Sequence, residues 1–135
     1  MAKGLEIRDA HFPGRPPIDA YGAGGFRFAD MSHRGSILCL PSGVHGWDVA
    51  EAGDIAAGSL SRVFEEAGEI EVLLIGMGEE FRRVPKELQA ALREQGIVTD
   101  AMSTGSAVRT YNVLLAEDRA VAAALIAVDD PGKRS

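Results

Sequence analysis

Apolar positions change their spacing near the middle of the chain. Up to about residue 54 they come in short alternating runs, at Ile18 to Tyr21, Gly25-Phe26-Arg27-Phe28 and Ser36 to Leu40. An alternation of two matches the opposite faces of a strand, so these runs predict short strands. Between them lie Phe12-Pro13-Gly14-Arg15-Pro16-Pro17, Asp30 to Gly35 and Leu40-Pro41-Ser42-Gly43, whose glycines and prolines predict turns. The first part of the chain therefore reads as β-rich.

From Asp54 onward the period lengthens. Leu60, Val63, Phe64 and Ala67 recur at helical spacing, and Gly68 stands where a left-handed cap would end the helix. Ile70-Glu71-Val72-Leu73-Leu74-Ile75 is almost wholly apolar and predicts a central strand covered on both faces, ended by Gly76-Met77-Gly78. Pro85 suits the first turn of a second helix, with Leu88, Ala91 and Leu92 as its stripe and Gly96 as its end. Ile97 to Met102 returns to strand. Ser103 and Thr104 offer a capping oxygen to a third helix lined by Ala107, Val108, Tyr111, Leu114 and Leu115, and Val121 to Val128 is the last strand. Strand, helix, strand, helix, strand predicts an α/β fold in three layers: a mixed, largely parallel central sheet flanked by helices, with the β-rich N-terminal part extending or flanking it.

With 135 residues, 46% hydrophobic and 25% charged, the chain is long enough to bury a core without staples and reads as a single domain over residues 1–135, ordered over about 5–128, with a mobile polar tail at 129–135. Fourteen basic residues against twenty acidic ones leave a net charge of −6, which opposes nucleic acid and anionic membrane surfaces. No apolar run approaches the roughly 20 residues that a spanning helix needs, so direct membrane insertion is not expected. Met1 to Ala10 carries Lys3, Glu6, Arg8 and Asp9 and lacks the apolar stretch of an export signal, so the expected location is the cytoplasm. The single cysteine, Cys39, lies within an apolar run and reads as a small core hydrophobe.

Candidate chemistry is sparse. Gly76-Met77-Gly78 after a buried strand, with Asp100 near the end of the next, resembles the start of a dinucleotide-binding fingerprint. Phe81 occupies the third glycine position, and Glu79 and Glu80 stand where a pyrophosphate would sit, so no nucleotide cofactor is expected. Close packing or positive φ explains the glycines better. There is no phosphate-cradling loop and no nucleophile elbow. His11, His33 and His45 are scattered through turn-like segments without metal-ligand spacing, and read as loop residues. No catalytic residue and no metal is assigned. Trp47 reads as an apolar cover over the sheet.

The densest polar cluster is Ser103-Thr104-Gly105-Ser106 followed by Arg109-Thr110-Tyr111-Asn112. Parallel pairing of the strands at 70–75 and 97–102 would bring Gly76, Met77 and Gly78 beside the helix start at Ser103 and Thr104, in one crevice at the carboxyl ends of the strands. Helix-start N–H groups, the hydroxyls and Arg109 could hold a small anion there, with Thr110 and Asn112 on the same helix. The plainer reading has Ser103 and Thr104 capping the helix while Arg109 and Asn112 pin a loop.

Four segments carry a resemblance: Ala20-Tyr21-Gly22-Ala23-Gly24-Gly25-Phe26-Arg27-Phe28, Gly35-Ser36-Ile37-Leu38, Leu73-Leu74-Ile75-Gly76-Met77-Gly78, and Arg109-Thr110-Tyr111-Asn112 continuing to Arg119. Together, over about Ile18 to Val128, they resemble the small Mth-type domain family of unknown function, which includes the mitochondrial complex I assembly factor 3 proteins. The family's glycine loop is more often Gly-Thr-Gly, and Met77 replaces the threonine here. The resemblance implies a three-layer α/β domain that acts without catalysis as an assembly or scaffold factor, with protein partners among respiratory-complex or membrane-assembly proteins. The alternative, from the residues alone, is a small-molecule or anion-binding protein, or an enzyme, using the crevice.

Overall fold

A computed structural model describes residues 11–79 and 82–129 of the chain. Its centre is a six-stranded sheet of β1 (His11–Pro13), β5 (Ser36–Leu40), β6 (Gly43–Trp47), β7 (Val72–Gly76), β8 (Val98–Met102) and β9 (Val121–Leu125). The strands lie in the order β1-β6-β5-β9-β7-β8. β7 pairs in parallel with both β8 and β9, whereas β5 runs antiparallel to β9 and to β6, and β1 antiparallel to β6. Parallel pairing is thus confined to the strand–helix repeat of the second half, where α2 (Lys86–Glu94) and α3 (Thr104–Ala116) supply the crossovers. A second sheet, β2-β3-β4, is built from Ala20–Gly22, Gly25–Phe28 and Met31–Arg34.

The helices complete three layers. On one face the short helix α1 (Ser61–Glu65) and α2 bring Val63, Leu88 and Leu92 onto Leu73, Ile75, Ala122 and Ala124. On the other, α3 and β3 bring Ala107, Val108, Tyr111, Phe26 and Phe28 onto Cys39, Leu74, Ala123 and Leu125. Three alanines in a row would make a poor isolated strand, but β9 is buried throughout its length, and small side chains let both outer layers close on it.

Three hairpin details depart from the sequence pattern. Asp30 to Gly35 is expected as a turn, yet Met31–Arg34 pairs with β3 in the register Phe28↔Met31. Only Ala29 and Asp30 turn, both at positive φ (49° and 64°), the geometry of a two-residue I′ hairpin without its usual glycine. Gly43–Trp47 forms β6 despite two glycines, and Phe12 and Pro13 belong to β1, an edge strand, the kind of strand in which sheets tolerate proline. His33 and His45, expected in loops, are strand residues, each 7% exposed. The first helix is also shorter than its apolar stripe. It is one turn of α-helix between 3-10 turns at Ala57–Leu60 and Ala67–Glu69, so Gly68 sits inside a turn and takes no left-handed cap. Gly96, at φ 85°, does end α2: its N–H bonds Arg93 O while that of Ile97 bonds Leu92 O. The readings of Met1 to Ala10 and of the last six residues fall outside the described residues.

Cys39 lies against Tyr111 in the core beneath α3. Burial pushes its thiol from the ordinary 9.0 up to about 12, against a lowering hydrogen bond from Tyr111. An acid whose pKa is raised by folding holds its proton in the native state and loses it on unfolding. Its contribution is therefore complete below about pH 9 and lost as the pH climbs toward 12. Native protein at pH 8 should resist a disulfide-forming thiol reagent that titrates one thiol in denaturant, and its Tm should fall above pH 9.

Candidate functional site

The carboxyl ends of β7 and β8 lie side by side, in the register Gly76↔Met102, so Gly76-Met77-Gly78 does meet the start of α3. The meeting is closed. A Cβ on Gly76 would stand 2.9 Å from Thr104 Cα and 3.0 Å from Leu125 Cδ2, so glycine lets the helix seat directly on the strand. Gly78 turns the chain at φ 80°. Thr104 is fully buried, its hydroxyl donating to Ile126 C=O (2.7 Å) and accepting from Gly78 N–H (2.9 Å). Its own N–H donates to Gly78 C=O (3.1 Å), Met77 N–H to Met102 C=O (2.8 Å) and Ile126 N–H to Gly76 C=O (2.9 Å). Three chain segments are knotted around one hydroxyl, and Met77 packs into the core on the α1–α2 face.

The remaining residues of the set divide. Ser103 caps α3, its hydroxyl accepting from Ser106 N–H at 3.2 Å. Arg109 is exposed and reaches no further than Ser106 Oγ, at 3.5 Å. Thr110 is half-buried. Asn112 grips the N-terminal segment as a strand would: its Oδ1 accepts from Ile18 N–H (2.9 Å) and its Nδ2 donates to Ile18 C=O (2.8 Å). Asn112→Ala strips both partners from that peptide, and should cost about 1–3 kcal/mol. Faster hydrogen exchange at the Ile18 amide would show it, with amides of β7 unchanged.

Two features escape the sequence. Tyr21 places its hydroxyl where a side chain on Gly105 would begin, so the ring of β2 closes over the start of α3. A glycine in the first turn of a helix is the cue, though it does not name the partner. The second is a polar clamp: Ser42 Oγ donates to Glu66 Oε2 (2.6 Å) and lies 2.9 Å from His45 Nε2, while Ser42 N–H donates to Glu66 Oε1 (2.9 Å). Serine, histidine and acid meet, with Ser42 Oγ between His45 Nε2 and the Glu66 carboxylate. The clamp ties the β5–β6 turn to the end of α1.

Comparison with known proteins fits this geometry. Residues 18–126 match the family described as protein of unknown function (DUF498/DUF598). An uncharacterised protein of Rhodobacter capsulatus is 42% identical over 119 residues, 88% of this chain and 90% of its own. The mouse NADH dehydrogenase [ubiquinone] 1 alpha subcomplex assembly factor 3 is 30% identical over 122 residues, 90% of this chain. The chain spans 66% of that relative's length. Among solved structures, a Bartonella henselae protein described as an outer membrane protein is 64% identical, with a TM-score of 0.85 over 88% of this chain and 100% of its own. A Mth938-like domain of Bordetella pertussis aligns with a TM-score of 0.72 at 28% identity, over 89% of this chain and 91% of its own. The matched span runs from the Ile18 peptide held by Asn112 to Ile126 at the Thr104 knot, and the chain belongs to the DUF498/DUF598 family, with a Mth938-like fold.

Proposed function

We propose that the chain is a non-enzymatic assembly factor that acts through protein contacts while a membrane-bound respiratory NADH dehydrogenase is built. The observation that carries this reading is the likeness to assembly factor 3 across the folded core, 30–34% identical over 81–90% of the chain in mouse and zebrafish. The geometry agrees in one respect. Thr104, Gly76, Gly78 and Asn112 are engaged in holding the fold, which leaves recognition to the outer surface.

No helix among the described residues is long and apolar enough to cross a membrane. The proposed place of work is the cytoplasm, with a partner that carries the membrane anchor. Cross-linking a tagged full-length chain in growing cells should capture subunits or intermediates of the respiratory complex, and fractionation should leave the free chain with the cytosol. Retention of the chain in the outer membrane, with no such subunit captured, would refute both statements.

A further inference from the structure

A cavity of about 600 Å³ crosses the small sheet β2-β3-β4 and is lined by residues 20–23, 25–27 and 32–34. In a chain of net charge −6, its lining holds Arg27 and Arg34 and no carboxylate. Two further cavities, of about 310 and 380 Å³, each include acid: Asp48 in one, and Glu51, Glu79 and Asp129 in the other. Both arginines are exposed, and neither has a hydrogen-bond or ion-pair partner among the described residues.

Register places them. Ala20↔Arg27↔Ser32 and Gly22↔Gly25↔Arg34 are adjacent rows on one face of the sheet. Arg27 and Arg34 are therefore diagonal neighbours, roughly 7–8 Å apart in such a pair and somewhat less between their Cβ atoms. Alternate residues of an extended chain repeat at roughly 6.6 Å, so two carboxylates spaced i, i+2 match the pair. Ala20 and Gly22 leave the β2 side of the face bare enough for a backbone to approach, whereas Gly25 is buried against the His33 carbonyl. Arginine without lysine, aspartate or glutamate is also a composition that binding hot spots favour.

The groove is held ready. Ala23 and Gly24 donate their N–H groups to Asp129 C=O (2.6 Å) and Val128 C=O (2.9 Å), and Gly35 N–H donates to Gly24 C=O (2.7 Å). The Val128 and Asp129 carbonyls lie two and three residues past Ile126, so the Thr104 knot also helps position the β2–β3 turn, and a partner meets a surface already ordered.

We propose that this groove docks an extended acidic segment of a partner protein, with alternate carboxylates on Arg27 and Arg34. The proposal rests on the protein-contact reading above and names its surface. The test titrates the full-length chain with a peptide of alternating glutamate and leucine, followed by amide chemical shifts. Shifts confined to residues 20–35, binding that weakens with salt, and at least a tenfold loss in R27E/R34E are expected. Ala20→Trp, which fills the same face without altering charge, should abolish binding and guards against misfolding of the double variant. Equal affinity in wild type and R27E/R34E, shifts outside the groove, or the same shifts produced by free glutarate or by the glutamine analogue of the peptide would overturn the proposal. Expressing R27E/R34E in a strain lacking the chain separates the two claims. Full rescue of a real assembly defect sinks the groove alone, whereas no defect in the deleted strain sinks the assembly role and leaves the titration to decide the groove.

Discussion

Thr104→Val should lower the Tm by roughly 10 °C while leaving the fold's outline unchanged. Valine keeps the shape of the side chain but removes the one group that satisfies both Gly78 N–H and Ile126 C=O. Both then lie unpaired in a site from which water is excluded, since Thr104 is fully buried. Orphaned buried polar groups cost about 1–3 kcal/mol each, and a domain of this size loses about 3–5 °C per kcal/mol. Thr104→Ser, which keeps the hydroxyl, should recover most of the loss by differential scanning calorimetry. A valine variant as stable as wild type would mean that the knot contributes little.

Gly76→Ala should be the more damaging of two glycine substitutions in the same loop. Its methyl would fall 2.9 Å from Thr104 Cα and 3.2 Å from Ala107 Cβ, on α3 itself, so either the helix shifts or the strand bends. Overpacking of this kind costs about 1–3 kcal/mol, and the upper end is expected because the obstacle is backbone. Gly78→Ala meets only Ile126 Cγ2, at 3.6 Å, and its cost is that of a left-handed φ of 80°, about 1–2 kcal/mol. Chemical denaturation of the pair decides the point. The account requires Gly76→Ala to have the lower midpoint, with α3 amides as the most perturbed.

The second half of the chain was readable because its elements are long and their cues agree. β7 is continuous apolar sequence, α2 has its stripe and closing glycine, and α3 its serine cap. The contact between Gly76-Met77-Gly78 and Ser103-Thr104 followed from parallel pairing alone. What filled it did not. Ile126, the acceptor for Thr104, lies just beyond the last strand and carries no polar side chain to signal its part, because the bond uses its carbonyl. In the first half, β4 was hidden by a turn without its customary residues, since Ala29 and Asp30 take positive φ that glycine or asparagine would have announced, and β6 by its two glycines. Asn112 read more readily as a loop pin than as a ligand contact, but a carboxamide serves a peptide and an anion alike, and the sequence did not name its partner, Ile18.

Acting on other proteins, without chemistry of its own, is the claim on which the rest turns. The amount of assembled respiratory NADH dehydrogenase, measured on native gels from a strain lacking this chain and from the same strain carrying it on a plasmid, tests that claim most directly. Loss of the mature complex with accumulation of partial assemblies, reversed by the plasmid, is the predicted result. Undiminished mature complex in the deleted strain would contradict it.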